Sequence, residues 1–117
     1  MSAFTDLVGP FEPGDGVLRV RAEERHANDN GTVHGGLLAT LCDNAVGAAV
    51  RAAADELSAA ATVSLTVDYL APARPGELLE ARTEIEKLGG RLAFADCSIT
   101  ADGREVVRAR AVFSVLD

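Results

Sequence analysis

This 117-residue sequence is 48% apolar and carries a formal net charge of −7. Its length suits one compact core, so we treat residues 1–117 as a single domain. The acidic balance disfavours nucleic acid as a partner, because phosphate binding needs a dominant basic surface, and the apolar runs fall short of the roughly 18 residues that a membrane span requires. Because no basic and apolar leader opens the chain, we expect a soluble, cytoplasmic protein.

The first two predicted segments are an arm and a strand. Residues 1–16 are rich in turn formers, with Pro10, Pro13 and the run Gly14-Asp15-Gly16, and they predict an irregular arm or a single helical turn. Residues 17–22 predict a strand. The following run, 26–31, is dense in Asn, Asp and Gly and predicts a loop.

A long helix is predicted from about His34 to about Leu57, because this stretch is rich in Leu, Ala and Val. At about 100° per residue, its apolar residues form one broad face and its polar residues a narrower stripe. The broad face consists of Leu38, Leu41, Ala45, Ala48, Ala49 and Ala52, and the stripe of Thr40, Asp43, Asn44, Gly47 and Arg51. So many alanines would let a sheet approach the helix closely.

Four further segments alternate apolar and polar residues and predict strands. They span residues 62–69, 79–86, 92–100 and 106–115, with Gly89-Gly90 and Asp102-Gly103 at the turns. Short glycine-containing connections favour antiparallel neighbours. The expected fold is α+β, of order β-α-β-β-β-β, with one curved antiparallel sheet wrapped around a single long helix.

One family accounts for several of these segments together. The run from Asn28 to Gly36 (NDNGTVHGG), followed by Asp43-Asn44, resembles the signature of hotdog thioesterases of the PaaI-like, phenylacetate-pathway group. The runs YLAPA from Tyr69 and GRLAF from Gly90 extend the resemblance over residues 17–116. It implies a hotdog fold and hydrolysis of an acyl-CoA to a free acid and CoA, without a metal or redox cofactor, CoA being part of the substrate.

The glycines at the predicted helix start suit a developing oxyanion, because the first N–H groups of a helix lack intrahelical partners and carry the positive end of the dipole. We expect the Gly35 N–H to polarise the thioester carbonyl, with Asp43 as nucleophile or as general base on water. Their backbones would lie about 12 Å apart along the helix. A two-fold dimer with antiparallel helices would bring Asp43 of one chain to Gly35 of the other.

The resemblance assigns roles to three more residues. Asn28 matches the position whose amide binds the carbonyl or holds the attacking water. Thr62 matches a Ser/Thr position whose hydroxyl orients water beside the carboxylate, and His34 shapes the turn around the oxyanion donor. Asn28 could instead form an Asx-turn, and Thr62 could be an ordinary strand residue.

Substrate-binding residues are predicted at three positions. Arg74 lies near the turn from Pro72 to Pro75, and Arg91 follows Gly89-Gly90. Both resemble the CoA-binding edge of the family, although basic side chains in turns also serve solubility. Gly36, beside the oxyanion donor, is the third candidate.

Other chemistries are less well supported. Cys42 and Cys97 lack a C-x-x-C spacing and predict buried, reduced thiols. His26 is the only histidine in the sequence apart from His34, so neither a hydrolase triad nor a metal site is recognisable. Cys42 is turned about 100° from Asp43, which disfavours it as a nucleophile.

The predicted assembly is a homo-oligomer, and the resemblance to the family implies a dimer of dimers. An outer sheet face with Leu78, Val106 and Val112 could supply the second interface. A non-catalytic hotdog protein that binds acyl-CoA or an acyl carrier is the alternative function, since a fold does not fix an activity. The acyl group, whether aryl, arylacetyl or short to medium aliphatic, stays open.

Overall fold

The computed structural model describes residues 2–54 and 59–116. Two α-helices, six strands and a short 3₁₀ turn follow one another there. They are α1 (Ala3–Val8), β1 (Glu12–Gly14), β2 (Val17–Arg21), the 3₁₀ turn (Glu24–His26), α2 (Gly35–Ala53), β3 (Ala59–Tyr69), β4 (Leu78–Leu88), β5 (Leu92–Ala101) and β6 (Arg104–Leu116). All five predicted strands are present, with ends that differ from the prediction by three residues at most.

The six strands form one antiparallel sheet in the order β1-β2-β4-β5-β6-β3, and α2 packs against its inner face. Inward-facing residues of β5 alternate with outward ones and are mostly small: Ala93, Ala95, Cys97 and Ile99 are buried. Small side chains let the sheet curve closely around the helix. The predicted hotdog fold is therefore confirmed.

Helix α2 buries part of the predicted broad face, namely Leu38, Leu41 and Ala45, and buries other residues beside it. Ala48 and Ala52 are exposed, whereas Gly47, predicted on the polar stripe, is buried. Gly47 is buried because the Phe113 ring packs against it, and a Cβ on Gly47 would lie 3.3 Å from that ring. The helix ends at Ala53, and the predicted end at Leu57 lies outside the described residues.

The N-terminal arm is more regular than predicted. Helix α1 has six residues, and the Ser2 hydroxyl caps it by accepting from the Thr5 N–H at 3.1 Å. Strand β1 pairs with β2 around Asp15 and Gly16, whose φ angles of 54° and 74° suit a tight hairpin. Residues 14–16 were predicted only as part of an irregular arm, although an Asp-Gly pair is a known sequence signal for such a hairpin.

One predicted outward residue lies in the core. Val106, expected on the outer sheet face, is fully buried, as is Val107. A register shift between Ile99 and Thr100 adds an extra residue on β6, and this bulge turns two successive side chains inward. Within the described residues, no helix combines the length and apolar character needed to cross a membrane.

Candidate active site

The N-terminal end of α2 presents an unused backbone donor. His34 is the N-cap: its Nδ1 accepts from the Gly36 N–H at 3.3 Å, and its own N–H donates to the His26 carbonyl at 2.8 Å. Across residues 2–54 and 59–116, the Gly35 N–H has no hydrogen-bond acceptor. It lies at the positive end of the helix dipole, where an anionic oxygen is stabilised.

Tyr69, the last residue of β3, lies over this helix end. Its hydroxyl donates to the Gly35 carbonyl at 2.7 Å, and its ring would be 3.2 Å from a Cβ on Gly35. A tyrosine phenol is protonated at neutral pH, and burial raises the pKa of Tyr69 further, so its hydroxyl stays a donor. The sequence identified Tyr69 only as part of a strand end, and its aromatic character gave no indication of this contact.

The second candidate group is the Asp43 carboxylate, two helical turns further along α2. Asp43 is half-buried, and its Oδ1 accepts from the Thr62 hydroxyl at 2.5 Å. Thr62 lies on the inner face of β3, opposite Phe113 of β6. A bond this short to an ionised acceptor is strong and fixes the orientation of the carboxylate. The structure therefore brings Asp43 and Thr62 of one chain together.

Asn28 organises the loop before α2. Its Oδ1 accepts from the N–H groups of Asn30 and Thr32 at 2.9 and 3.2 Å, and its Nδ2 donates to the Thr32 hydroxyl at 3.0 Å. These contacts form the Asx-turn that the sequence left open as the alternative. One hydrogen of Nδ2 is not used in them, so carbonyl binding by Asn28 stays a prediction.

The two predicted arginines lie at opposite ends of β4. Arg74 is exposed and follows Ala73, whose carbonyl accepts from the Val33 N–H at 2.7 Å, so it is close to the start of α2. Arg91 lies in the hairpin beyond the far end of the strand. Since β4 has 11 residues at about 3.3 Å each, roughly 30 Å separates these ends. One chain does not bring both arginines to the same phosphate.

Residues 30–108 match a family model described as the thioesterase superfamily. The chain belongs to this superfamily. Human acyl-coenzyme A thioesterase 13 is 32% identical over 100 residues, which cover 84% of this chain and 71% of that protein. A Bacillus halodurans protein crystallised with CoA superposes with a TM-score of 0.91 and 26% identity, over 99% of this chain and 77% of the other.

The PaaI protein of the Escherichia coli phenylacetic acid degradation operon shares the thioesterase fold seen here. Its TM-score is 0.89 at 21% identity, over 99% of this chain and 86% of that one, and at this identity the likeness concerns the fold alone. The superfamily match confirms the predicted thioesterase, and this likeness confirms its hotdog fold. The roles of individual residues stay predictions.

Cys42, beside Asp43 in this thioesterase, points into the core. Both Cys42 and Cys97 are free and buried, as predicted. The hydrogen bond with Cys97 and burial raise the pKa of the Cys42 thiol, so it stays protonated at neutral pH. This thiol is therefore unsuited to act as a nucleophile.

Two clefts flank the first turns of α2. The strand-side cleft, of about 360 Å³, lies between α2 and the chain that follows β3, and its lining includes Thr32, Gly35, Leu38, Tyr69, Leu70 and Pro72. The arm-side cleft, of about 430 Å³, lies between α2 and α1, and its lining includes Phe4, Leu7, Val8, Gly36, Leu37 and Thr40. Gly35 and Gly36 thus open onto different clefts.

Proposed function

We propose that this thioesterase hydrolyses acyl-CoA to a free acid and CoA. The observation that carries the proposal is the pair of groups on α2: an unused Gly35 N–H at the helix start and an Asp43 carboxylate held by Thr62. The name of the human relative and the CoA in the Bacillus halodurans structure support CoA thioesters as the substrate class.

In the proposed reaction, the Gly35 N–H donates to the carbonyl oxygen as negative charge develops there, a contribution of about 2.7–4 kcal/mol for one such donor. Asp43 either attacks the carbonyl carbon, expelling the CoA thiolate and leaving an anhydride for water to open, or takes a proton from the attacking water. Single-turnover hydrolysis in isotopically labelled water identifies the nucleophilic route when label enters Asp43, which happens only if water opens the anhydride at the Asp43 carbonyl and the acyl group leaves as the free acid.

The proposed site needs two chains. Gly35 and Asp43 are eight residues apart, about 12 Å along the helix, which is too far for both to act on one carbonyl. Among the strands of the described residues, β3 pairs only with β6 and leaves an 11-residue edge, largely exposed, with Val63 59% exposed. Such an edge favours pairing with another strand. Pairing of two β3 edges about a two-fold axis would set two α2 helices side by side.

Asn44 supports the same dimer. Its side-chain nitrogen is buried and, in the described part of the chain, has no hydrogen-bond acceptor. A buried donor without a partner is costly, and a second α2 helix beside the first would offer acceptors. We propose that the partner's carboxylate then faces Gly35, with Asn28 and His34 shaping that half of the site.

CoA is proposed to lie along the strand-side cleft, which runs from Gly35 past Pro72 towards Arg74. Arg91 could reach the same phosphates only from the partner chain. The outer sheet face, where Leu92 and Phe94 are 41% and 37% exposed, is proposed to join two dimers into a tetramer. The proposed mechanism uses neither a metal nor a redox cofactor.

Thiol release from aryl-, arylacetyl- and aliphatic acyl-CoAs tests the function. We expect turnover with at least one class, and a loss of about 10²–10⁴-fold in kcat for Asp43→Asn. The matched control is Asp68→Asn, since Asp68 is exposed on the outer face of β3. Tight binding without thiol release would favour the non-catalytic alternative, and unchanged turnover in Asp43→Asn would remove Asp43 from the mechanism.

A further inference from the structure

Helix α2 begins with two consecutive glycines, Gly35 and Gly36, at the point where the proposed oxyanion donor lies. Glycine has the greatest backbone freedom of any residue, and the first N–H groups of a helix lack intrahelical partners. A donor that stabilises a transition state must already point at the oxyanion before the reaction begins. A contact from outside the helix therefore has to fix the direction of the Gly35 N–H.

Tyr69 makes such a contact on the peptide group that follows Gly35. Its hydroxyl donates to the Gly35 carbonyl at 2.7 Å, and the N–H of the same peptide group, that of Gly36, donates to Nδ1 of His34 at 3.3 Å. A donor on the carbonyl polarises the peptide group and strengthens the second hydrogen bond. His34 supplies the carbonyl of the peptide group that contains the Gly35 N–H. The hydrogen bonds therefore restrain the backbone on both sides of the Gly35 Cα.

The backbone around Tyr69 is itself fixed by the core. The next N–H along the chain, that of Leu70, donates to the carbonyl of Val106, a fully buried residue of β6, at 2.8 Å. Four residues after Tyr69, the Ala73 carbonyl accepts from the Val33 N–H at 2.7 Å, just before α2. The end of β3 and the chain that follows it therefore hold the tyrosine against the helix start.

The Tyr69 hydroxyl contributes little to the stability of the fold. Tyr69 is 53% exposed, and water can replace an exposed hydrogen bond at small cost. Tyr69 and Gly35 both line the strand-side cleft. A thioester in this cleft would exclude the competing water, which strengthens the hydrogen bond when the substrate is bound. The contact is therefore expected to matter more for the reaction than for folding.

We propose that Tyr69 is a positioning residue for the oxyanion donor of its own chain. Its hydroxyl holds the peptide group after Gly35 and thereby fixes the direction of the Gly35 N–H towards the thioester carbonyl. The inference rests on the proposed function, because the donor has a task in the reaction only if Gly35 binds the carbonyl. Tyr69 acts through Gly35, and its phenol neither gives nor takes a proton in the reaction.

Tyr69→Phe tests this role, because it removes the hydroxyl and keeps the ring. We expect kcat for the best acyl-CoA to fall roughly threefold to tenfold, the factor that corresponds to one neutral hydrogen bond, with KM and the Kd for CoA unchanged. The melting temperature should change by only a few degrees, because the contact is exposed. Thr66→Val is the matched control, since it removes an exposed hydroxyl from the outer face of the same strand, and it should keep the wild-type kcat.

A double-mutant cycle shows whether Tyr69 acts through the donor. In a Gly35→Pro background the N–H is absent, so Tyr69→Phe should cause no further loss of kcat. In a Thr62→Val background the donor is intact, so the loss caused by Tyr69→Phe should be as large as in wild type, since Thr62 belongs to the other half of the site. An undiminished loss in the Gly35→Pro background, or weaker CoA binding by Tyr69→Phe, would overturn the inference.

NMR relaxation of the Gly35 amide gives a readout that needs no turnover. We expect an order parameter of about 0.85, the value of rigid backbone, in wild type and in Thr66→Val, and a clearly lower one in Tyr69→Phe. A lower order parameter without thiol release from any acyl-CoA would reject the proposed function and keep the positioning by Tyr69. Thiol release with a kcat and an order parameter that Tyr69→Phe does not change would reject the positioning and keep the function.

Discussion

At the scale of single residues, the Asp43–Thr62 pair constrains the site most tightly. The two residues are 19 positions apart in sequence and lie on different elements, yet a 2.5 Å hydrogen bond joins them. The hydroxyl uses one carboxylate oxygen and leaves the other available for water or for the thioester carbon. We therefore expect Thr62 to orient the carboxylate.

Replacing Thr62 tests this orientation. Thr62→Val keeps the shape of the side chain but removes a hydrogen bond to a charged group, a contribution of about 1.5–3 kcal/mol. We expect kcat to fall by roughly tenfold to a hundredfold with KM little changed, because the lost contact acts on the reacting carboxylate. Steady-state kinetics on the best acyl-CoA measures both constants.

Thr62→Ser is the control for that change, since it restores the hydroxyl without the methyl group. Recovery of most of the kcat in Thr62→Ser would support orientation by the hydroxyl. Equal losses in the Ser and Val variants would instead assign the effect of Thr62 to packing on β3.

At the scale of elements, the start of α2 combines the proposed N–H donor with a backbone position that accepts proline. His34 has φ −60° and ψ 132°, an extended conformation that a following proline tolerates. Gly35 is the first helical residue, the one position in a helix where proline fits. The donor can therefore be removed at this position without breaking the helix.

Gly35→Pro should lower kcat by about 10²–10³-fold, because it deletes the proposed oxyanion donor while keeping the helical backbone. Gly35→Ala is the matched variant, since both place a Cβ 3.2 Å from the Tyr69 ring but only proline lacks the N–H. Circular dichroism should report an intact fold for both. If alanine and proline reduce turnover equally, contact with Tyr69, and not the lost donor, is the cause.

The elements were largely predictable from the sequence, and the contacts between them were not. Alternation in residues 62–69 marks a strand because one of its faces is buried, and this pattern is local. The tilt that brings Tyr69 over Gly35 depends on how β3 crosses α2, which no local pattern encodes. The bulge that buries Val106 arises from pairing with β5, so alternation alone assigned this residue to the wrong face.

At the scale of the whole molecule, the candidate site is divided between distant parts of one chain. One half consists of Gly35 and the strand-side cleft, near Arg74. The other half consists of Asp43 and Thr62, two helical turns away. A dimer with antiparallel helices would form two sites, each with one half from each chain. Only the dimer would then be active. A variant that lacks the Gly35 donor should complement a variant that lacks the Asp43 carboxylate.

Mixing two inactive variants tests this division directly. Gly35→Pro and Asp43→Asn homodimers should each lack an intact site. A heterodimer should contain one intact site, because one chain supplies Gly35 and the other supplies Asp43. When the two are unfolded and refolded together in equal amounts, random pairing makes half of the dimers mixed, so we expect about a quarter of wild-type turnover.

The control refolds Asp43→Asn with Asp43→Ala, where no pairing can restore a carboxylate, and it should stay inactive. Thiol release before and after refolding measures the recovery, and size-exclusion chromatography verifies that dimers form. Recovery in the first mixture alone would follow from a shared site. If neither mixture recovers although mixed dimers form, Gly35 and Asp43 must act within the same chain. Movement of the helix or of the substrate would then have to close the 12 Å separation along α2.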